Sequence, residues 1–183
     1  MTFFAAAFAA ALFGHGWEFL TLVGVVSAHE VAHVAVAAVF GAVPSGVTLT
    51  CAGETVIIPG VEDLSAAERL VVFAAGPVFN LALFAAASTL GDGWGMFRFF
   101  NILVAGFNLL PAYPMDGGRI LGVIAEMFVD ADAARRITAA VSRAVSCGVI
   151  AVGIAAFSFF PYNLLVVVLG LNMRRIGAAN KPR

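Results

Sequence analysis

Val26-Ser27-Ala28-His29-Glu30-Val31-Ala32-His33-Val34-Ala35 is the centre of an apolar run that extends from Trp17 to about Ala42. The run has the length and hydrophobicity of a membrane-crossing helix, yet it carries three titratable side chains in its interior. On an α-helix, residues four apart share a face, so His29 and His33 present two imidazoles toward one point. Glu30 stands one position round the helix, close enough to polarise a water bound to a metal held there. Two neutral nitrogen donors and an adjacent carboxylate make the H-E-x-x-H pattern, a zinc-binding arrangement suited to hydrolysis once a third ligand arrives from elsewhere.

The rest of the chain fits a membrane setting. Its 183 residues are 62% hydrophobic and 11% charged, with a mean hydropathy of +1.00, whereas a soluble domain carries about 25% charged residues. Successive apolar runs predict an all-α polytopic membrane protein of about six transmembrane helices, forming one domain over residues 1–183. The lipid bilayer is therefore an expected partner. Net charge is −1, so no basic surface points to nucleic acid. Cys51 and Cys147 are distant and in unlike contexts, giving neither a metal spacing nor a disulfide framework. Oligomeric state is not legible.

In chain order, Thr2–Phe13 reads as a short first helix, with a signal peptide disfavoured because no basic segment precedes the apolar one. The span bearing the histidines follows and is closed by Gly41 and Pro44. Between about 45 and 60 the pattern predicts two short strands, Val47–Cys51 and Thr55–Pro59, around a Gly53-Glu54 turn. Such a membrane-associated β-hairpin could border a cleft and offer a free edge to an extended peptide, or simply connect two helices. A third span runs over about Leu70–Leu90, with Ala74-Ala75-Gly76-Pro77-Val78-Phe79-Asn80 read as close helix packing. The fourth, from about Phe97, breaks over 108–119, where Pro111, Pro114, Gly117 and Gly118 interrupt it, and helix resumes over Ile120–Phe128. After a charged interfacial segment, Asp130–Arg136, come spans over about Ile137–Phe160 and Tyr162–Met173.

Seven of the ten Lys and Arg residues lie in two places: Arg135, Arg136 and Arg143, then Arg174, Arg175, Lys181 and Arg183. Six spans put both places on one side, and the excess of basic charge makes that side the cytoplasm, with both termini there.

Four buried ionisable groups, His29, Glu30, His33 and Asp116, would each cost roughly 2.5–3.5 kcal/mol at the bilayer centre on insertion scales. One zinc ion per chain resolves that cost. Neutral His29 and His33 with ionised Asp116 and Glu30 bring the cluster close to neutrality and leave a position open for water. Asp116 is the expected third ligand because the broken helix can turn its carboxylate inward. His15 lies in a connector, and Glu18 and Glu126 lie near span ends. Asn108, just before the break, is a candidate donor to the carbonyl under attack, with a helix-end cap as the plainer role.

These residues resemble the intramembrane site-2-type zinc metalloproteases of the M50 family. The resemblance lies in His29-Glu30-Val31-Ala32-His33, in Asn108-Leu109-Leu110-Pro111 with Asp116-Gly117, and in Ala75-Gly76-Pro77-Val78-Phe79-Asn80, which is similar to the family's G-P-x-x-N segment. The small layout without a PDZ insertion looks most like the sporulation branch, which releases a membrane-associated pro-sigma factor. The Gly14-His15 turn and the Gly53-Glu54-Thr55-Val56 hairpin add to that likeness. The resemblance implies hydrolysis of a peptide bond in or beside the membrane segment of a membrane-associated substrate, a pro-sigma or anti-sigma factor in regulated proteolysis. Glu30 is then the general base, and inhibitory membrane-protein partners are admitted without being named. The first span is short for the family, and no CBS domain is expected, so nucleotide regulation is not carried over. A membrane zinc carrier and a catalytically silent helix-binding relative are the competing classes. The carrier would want a polar path through several spans, and the silent relative would have lost catalytic residues that are intact here.

Overall fold

The computed structural model describes side chains and backbone over residues 14–42, 59–155, 170–171 and 173–174, and backbone alone over 46–50, 53–57 and 156–157. The expected first helix lies outside the described residues, as does most of the expected sixth span. Five helices are described: α1 (Gly16–Val39), α2 (Ala66–Ser88), α3 (Gly95–Asn108), α4 (Asp116–Glu126) and α5 (Ala131–Phe157). Three of them, α1, α2 and α5, are long and apolar enough to cross a membrane. This is a multi-pass membrane protein, with three candidate spans among the described residues where six were expected along the whole chain.

Two compact units divide the chain near Phe107. In the first, α1 packs along α2. The buried side of α1 is Val25, His29, His33 and Ala37, one residue every four, so a single stripe holds both histidines and their aliphatic neighbours. The other sides carry exposed apolar residues such as Leu20, Val31 and Val39, as a lipid-facing helix should. Gly41 ends α1 in the left-handed conformation (φ 83°), and the Gly41 and Ala42 N–H groups close back onto the Ala38 and Ala37 carbonyls. The glycine expected to stop this helix does so.

Beyond it, Gly46–Thr50 (β1) and Gly53–Ile57 (β2) pair antiparallel, and β2 contacts α1. The expected turn is corrected: Glu54 pairs with Leu49 and Gly53 with Thr50, so both lie in the second strand. Helix α2 begins at a capping box in which the Ser65 hydroxyl accepts from the Glu68 N–H and the Glu68 carboxylate accepts from the Ser65 N–H. Pro77 lies within this continuous helix.

In the second unit α4 packs on α5. The expected break is present, since α3 ends at Asn108 and helix resumes at Asp116. At 14 and 11 residues, α3 and α4 rise only about 21 and 17 Å, too short alone for a hydrocarbon core of about 30 Å. The charged segment expected before the fifth span is largely helical: α5 starts at Ala131, one residue after Asp130, whose carboxylate accepts from the Ala133 N–H at 2.8 Å. Gly170 packs against Ile150 of α5 so closely that a Cβ there would stand 2.6 Å from the Ile150 side chain.

Candidate metal centre

His29 and His33 are one turn apart on α1, 2% and 6% exposed. Their rings meet edge to face with Nε2 atoms 3.1 Å apart. The opposite nitrogens are both engaged. His33 Nδ1 lies 2.7 Å from the Val72 carbonyl, which can only accept, so Nδ1 carries the proton. His29 Nδ1 lies 2.6 Å from Asn80 Oδ1 and donates to it. A neutral imidazole has one N–H. With both protons on Nδ1, two Nε2 lone pairs face one another across a distance that only a cation makes favourable.

A zinc ion fits there. Tetrahedral Zn–N bonds of about 2.0–2.1 Å set two nitrogens about 3.3 Å apart, close to the observed separation. The Nδ1 contacts are the partners that hold metal-binding histidines in orientation. Room comes from α2: a Cβ at Gly76 would stand 2.6 Å from His29 Nε2 and closer still to His33 Nε2. Only glycine at this position leaves the histidine nitrogens open.

Glu30, next on the helix, is half-buried. Asp116 lies in the other unit as the first residue of α4 and is 6% exposed. Among the described residues it is the only buried carboxylate. It belongs to the helix rather than to the break, as its first turn. The chain before it turns sharply: the Met115 N–H donates to the Ala112 carbonyl, and the Tyr113 N–H donates to Ser142 Oγ on α5 at 3.1 Å. Gly117 and Gly118 lie against this loop, where a Cβ would come within 2.5 Å of the Leu109 and Ala112 carbonyl carbons respectively. Asn108 is the last residue of α3 and half-buried.

Sequence reasoning missed two participants. Gly76 and Asn80 stand in the sequence as part of a close-packing segment and of the G-P-x-x-N-like run, with no role at the metal attached to either. A polar amide inside an apolar span was the available signal, because it must find a partner there.

The peptidase family M50 model matches residues 84–152, which include Asn108 and Asp116. The chain is 32% identical over 117 residues to stage IV sporulation protein FB of Bacillus subtilis (strain 168), a match covering 60% of the chain and 41% of that protein. It thus spans about two-fifths of its relative's length. In fold it is similar to the site-2 protease from Methanocaldococcus jannaschii, with a TM-score of 0.72 at 20% identity, covering 99% of this chain and 87% of the other.

Proposed function

We propose that this chain is a member of peptidase family M50 and an intramembrane zinc metalloprotease that hydrolyses a peptide bond in or next to the membrane segment of a membrane-associated protein. The observation that carries the reading is the pair of His29 and His33 Nε2 atoms, 3.1 Å apart inside a candidate span with both Nδ1 atoms engaged. His29, His33 and Asp116 are the proposed ligands of one zinc ion. All three are buried, and their donor set is one that zinc accepts. Bound zinc supplies Lewis acidity toward a carbonyl and toward water. Glu30 takes the proton of the attacking water and returns it to the leaving amine. Asn108 donates a hydrogen bond to the developing oxyanion, a contribution of about 3–4 kcal/mol in comparable sites.

Similarity to a sporulation protein supports a substrate in regulated proteolysis, a pro-sigma or anti-sigma factor. A helix hides its peptide bonds, so the substrate unwinds locally, and the β1–β2 ladder is the proposed edge that holds it extended. The basic clusters support an orientation with both termini in the cytoplasm. The test pairs cleavage of a membrane-tethered substrate with zinc analysis of purified protein. Glu30→Gln loses cleavage and retains about one zinc per chain, whereas Asp116→Ala loses or greatly weakens zinc. A Glu30→Gln protein that still cleaves would overturn the assignment.

A further inference from the structure

The first unit contains a line of three hydrogen bonds that ends on a histidine. His29 Nδ1 and Asn80 Oδ1 are 2.6 Å apart, Asn80 Nδ2 donates to Asn101 Oδ1 at 2.8 Å, and Asn101 Nδ2 donates to the Phe97 carbonyl at 2.9 Å. Asn80 and Asn101 are both fully buried. A carboxamide is nearly symmetric in shape, so Asn80 alone could present either its oxygen or its nitrogen to His29. The far end of the line removes that freedom. The Phe97 carbonyl can only accept, so Asn101 points its NH2 there and its oxygen toward α2. Asn80 answers with its own NH2, and its oxygen is left for His29. The ring then carries its proton on Nδ1 and its lone pair on Nε2, toward His33.

We propose that Asn101 and Asn80 are positioning residues: a polar relay anchored on the backbone of α3 sets the His29 tautomer that a metal requires. This rests on the metal reading above and extends it to two residues that touch no reacting atom. Were the relay reversed, Asn80 would donate to Nδ1, the proton would sit on Nε2, and His29 could not bind a metal through that atom. His33 needs no such device, because the Val72 carbonyl already has a fixed polarity. The two histidines therefore depend on different things, which gives the test an internal control.

The experiment uses the full chain in detergent, with histidine ring nitrogens labelled with ¹⁵N. Spectra of metal-free protein are taken at about pH 8, where an ordinary imidazole is neutral. In the natural chain both rings should show the Nδ1–H form. An Nε2–H form at His29 there overturns the relay without any variant. Asn101→Leu removes the acceptor for Asn80 and frees its amide to rotate, so His29 becomes a mixture of tautomers while His33 is unchanged. Zinc affinity, measured by competition with a chelator, falls about 10- to 100-fold. Adding Asn80→Asp to Asn101→Leu should restore both readouts, because a carboxylate can only accept from His29. If Asn101→Leu leaves the His29 tautomer unchanged, or the double variant fails to recover zinc, the relay does not set the tautomer. A natural chain that takes up no zinc sinks the metal reading instead, and the tautomer spectra still decide the relay.

Discussion

Gly76 shows how one absent side chain can matter more than one present. A methyl group there would occupy the space between the two histidine Nε2 atoms. Gly76→Ala should therefore keep its helical content by circular dichroism, since alanine favours helix over glycine by about 1 kcal/mol, but drop from about one zinc per chain to little. Full zinc in that variant would show that the space is not where the metal sits. At this scale the legible residues were those whose burial is expensive in itself. His29, His33 and Asp116 stood out because ionisable groups in an apolar run demand a reason. Asn80 is legible only as part of a motif-like run and Asn101 not at all, because a neutral amide is satisfied by one well-placed neighbour, and that neighbour lies 21 residues away.

Helix limits were readable where a single residue imposes the stop, and less so where the limit depends on pairing. Gly41 closes α1, and the prolines at 111 and 114 separate α3 from α4, each for a local steric reason. The strand pair was legible as a pair, but its register was not. Gly53-Glu54 has turn composition, yet it pairs with Leu49 and Thr50 of the opposite strand. The start of α5 carries a pH prediction. The Ala133 N–H, donating to the Asp130 carboxylate, holds that carboxyl below its ordinary range. A lowered folded-state value means that the contribution is complete above the unfolded value of about 3.9. It is lost as pH falls through the folded value. Protection of the Ala133 amide against hydrogen exchange, taken relative to the intrinsic rate at each pH, should thus hold at neutral pH and fall in acid below that range. Asp130→Ala should lack that protection throughout, and Asp130→Asn, whose amide oxygen still accepts, should keep a protection that depends little on pH. A natural protein whose Ala133 is unaffected by acid would show the cap to be idle.

Over the whole molecule, composition alone established a multi-pass membrane protein, while the number of spans depends on segments read from hydropathy. The basic residues near the start of α5 make a topological prediction. With Cys51 and Cys147 replaced, Asp132→Cys should react with a membrane-impermeant maleimide only from the cytoplasmic side, and labelling from outside would reverse the proposed orientation. A bilayer also responds to what crosses it. Helix α3 is short and turns Phe99, Ile102 and Leu103 outward, with 57%, 42% and 48% of their surfaces exposed. Acyl chains beside a stub about 21 Å long must compress or tilt to cover it, a hydrophobic mismatch costing fractions of a kcal/mol per Å. The protein would then carry its own dimple in the membrane. Reconstitution in lipids of decreasing chain length should raise its thermal stability until the bilayer thickness approaches that of the helix, and a flat response would mean that this face is covered by protein. In such a dimple, water reaches further toward the bilayer centre than it does beside a full-length span.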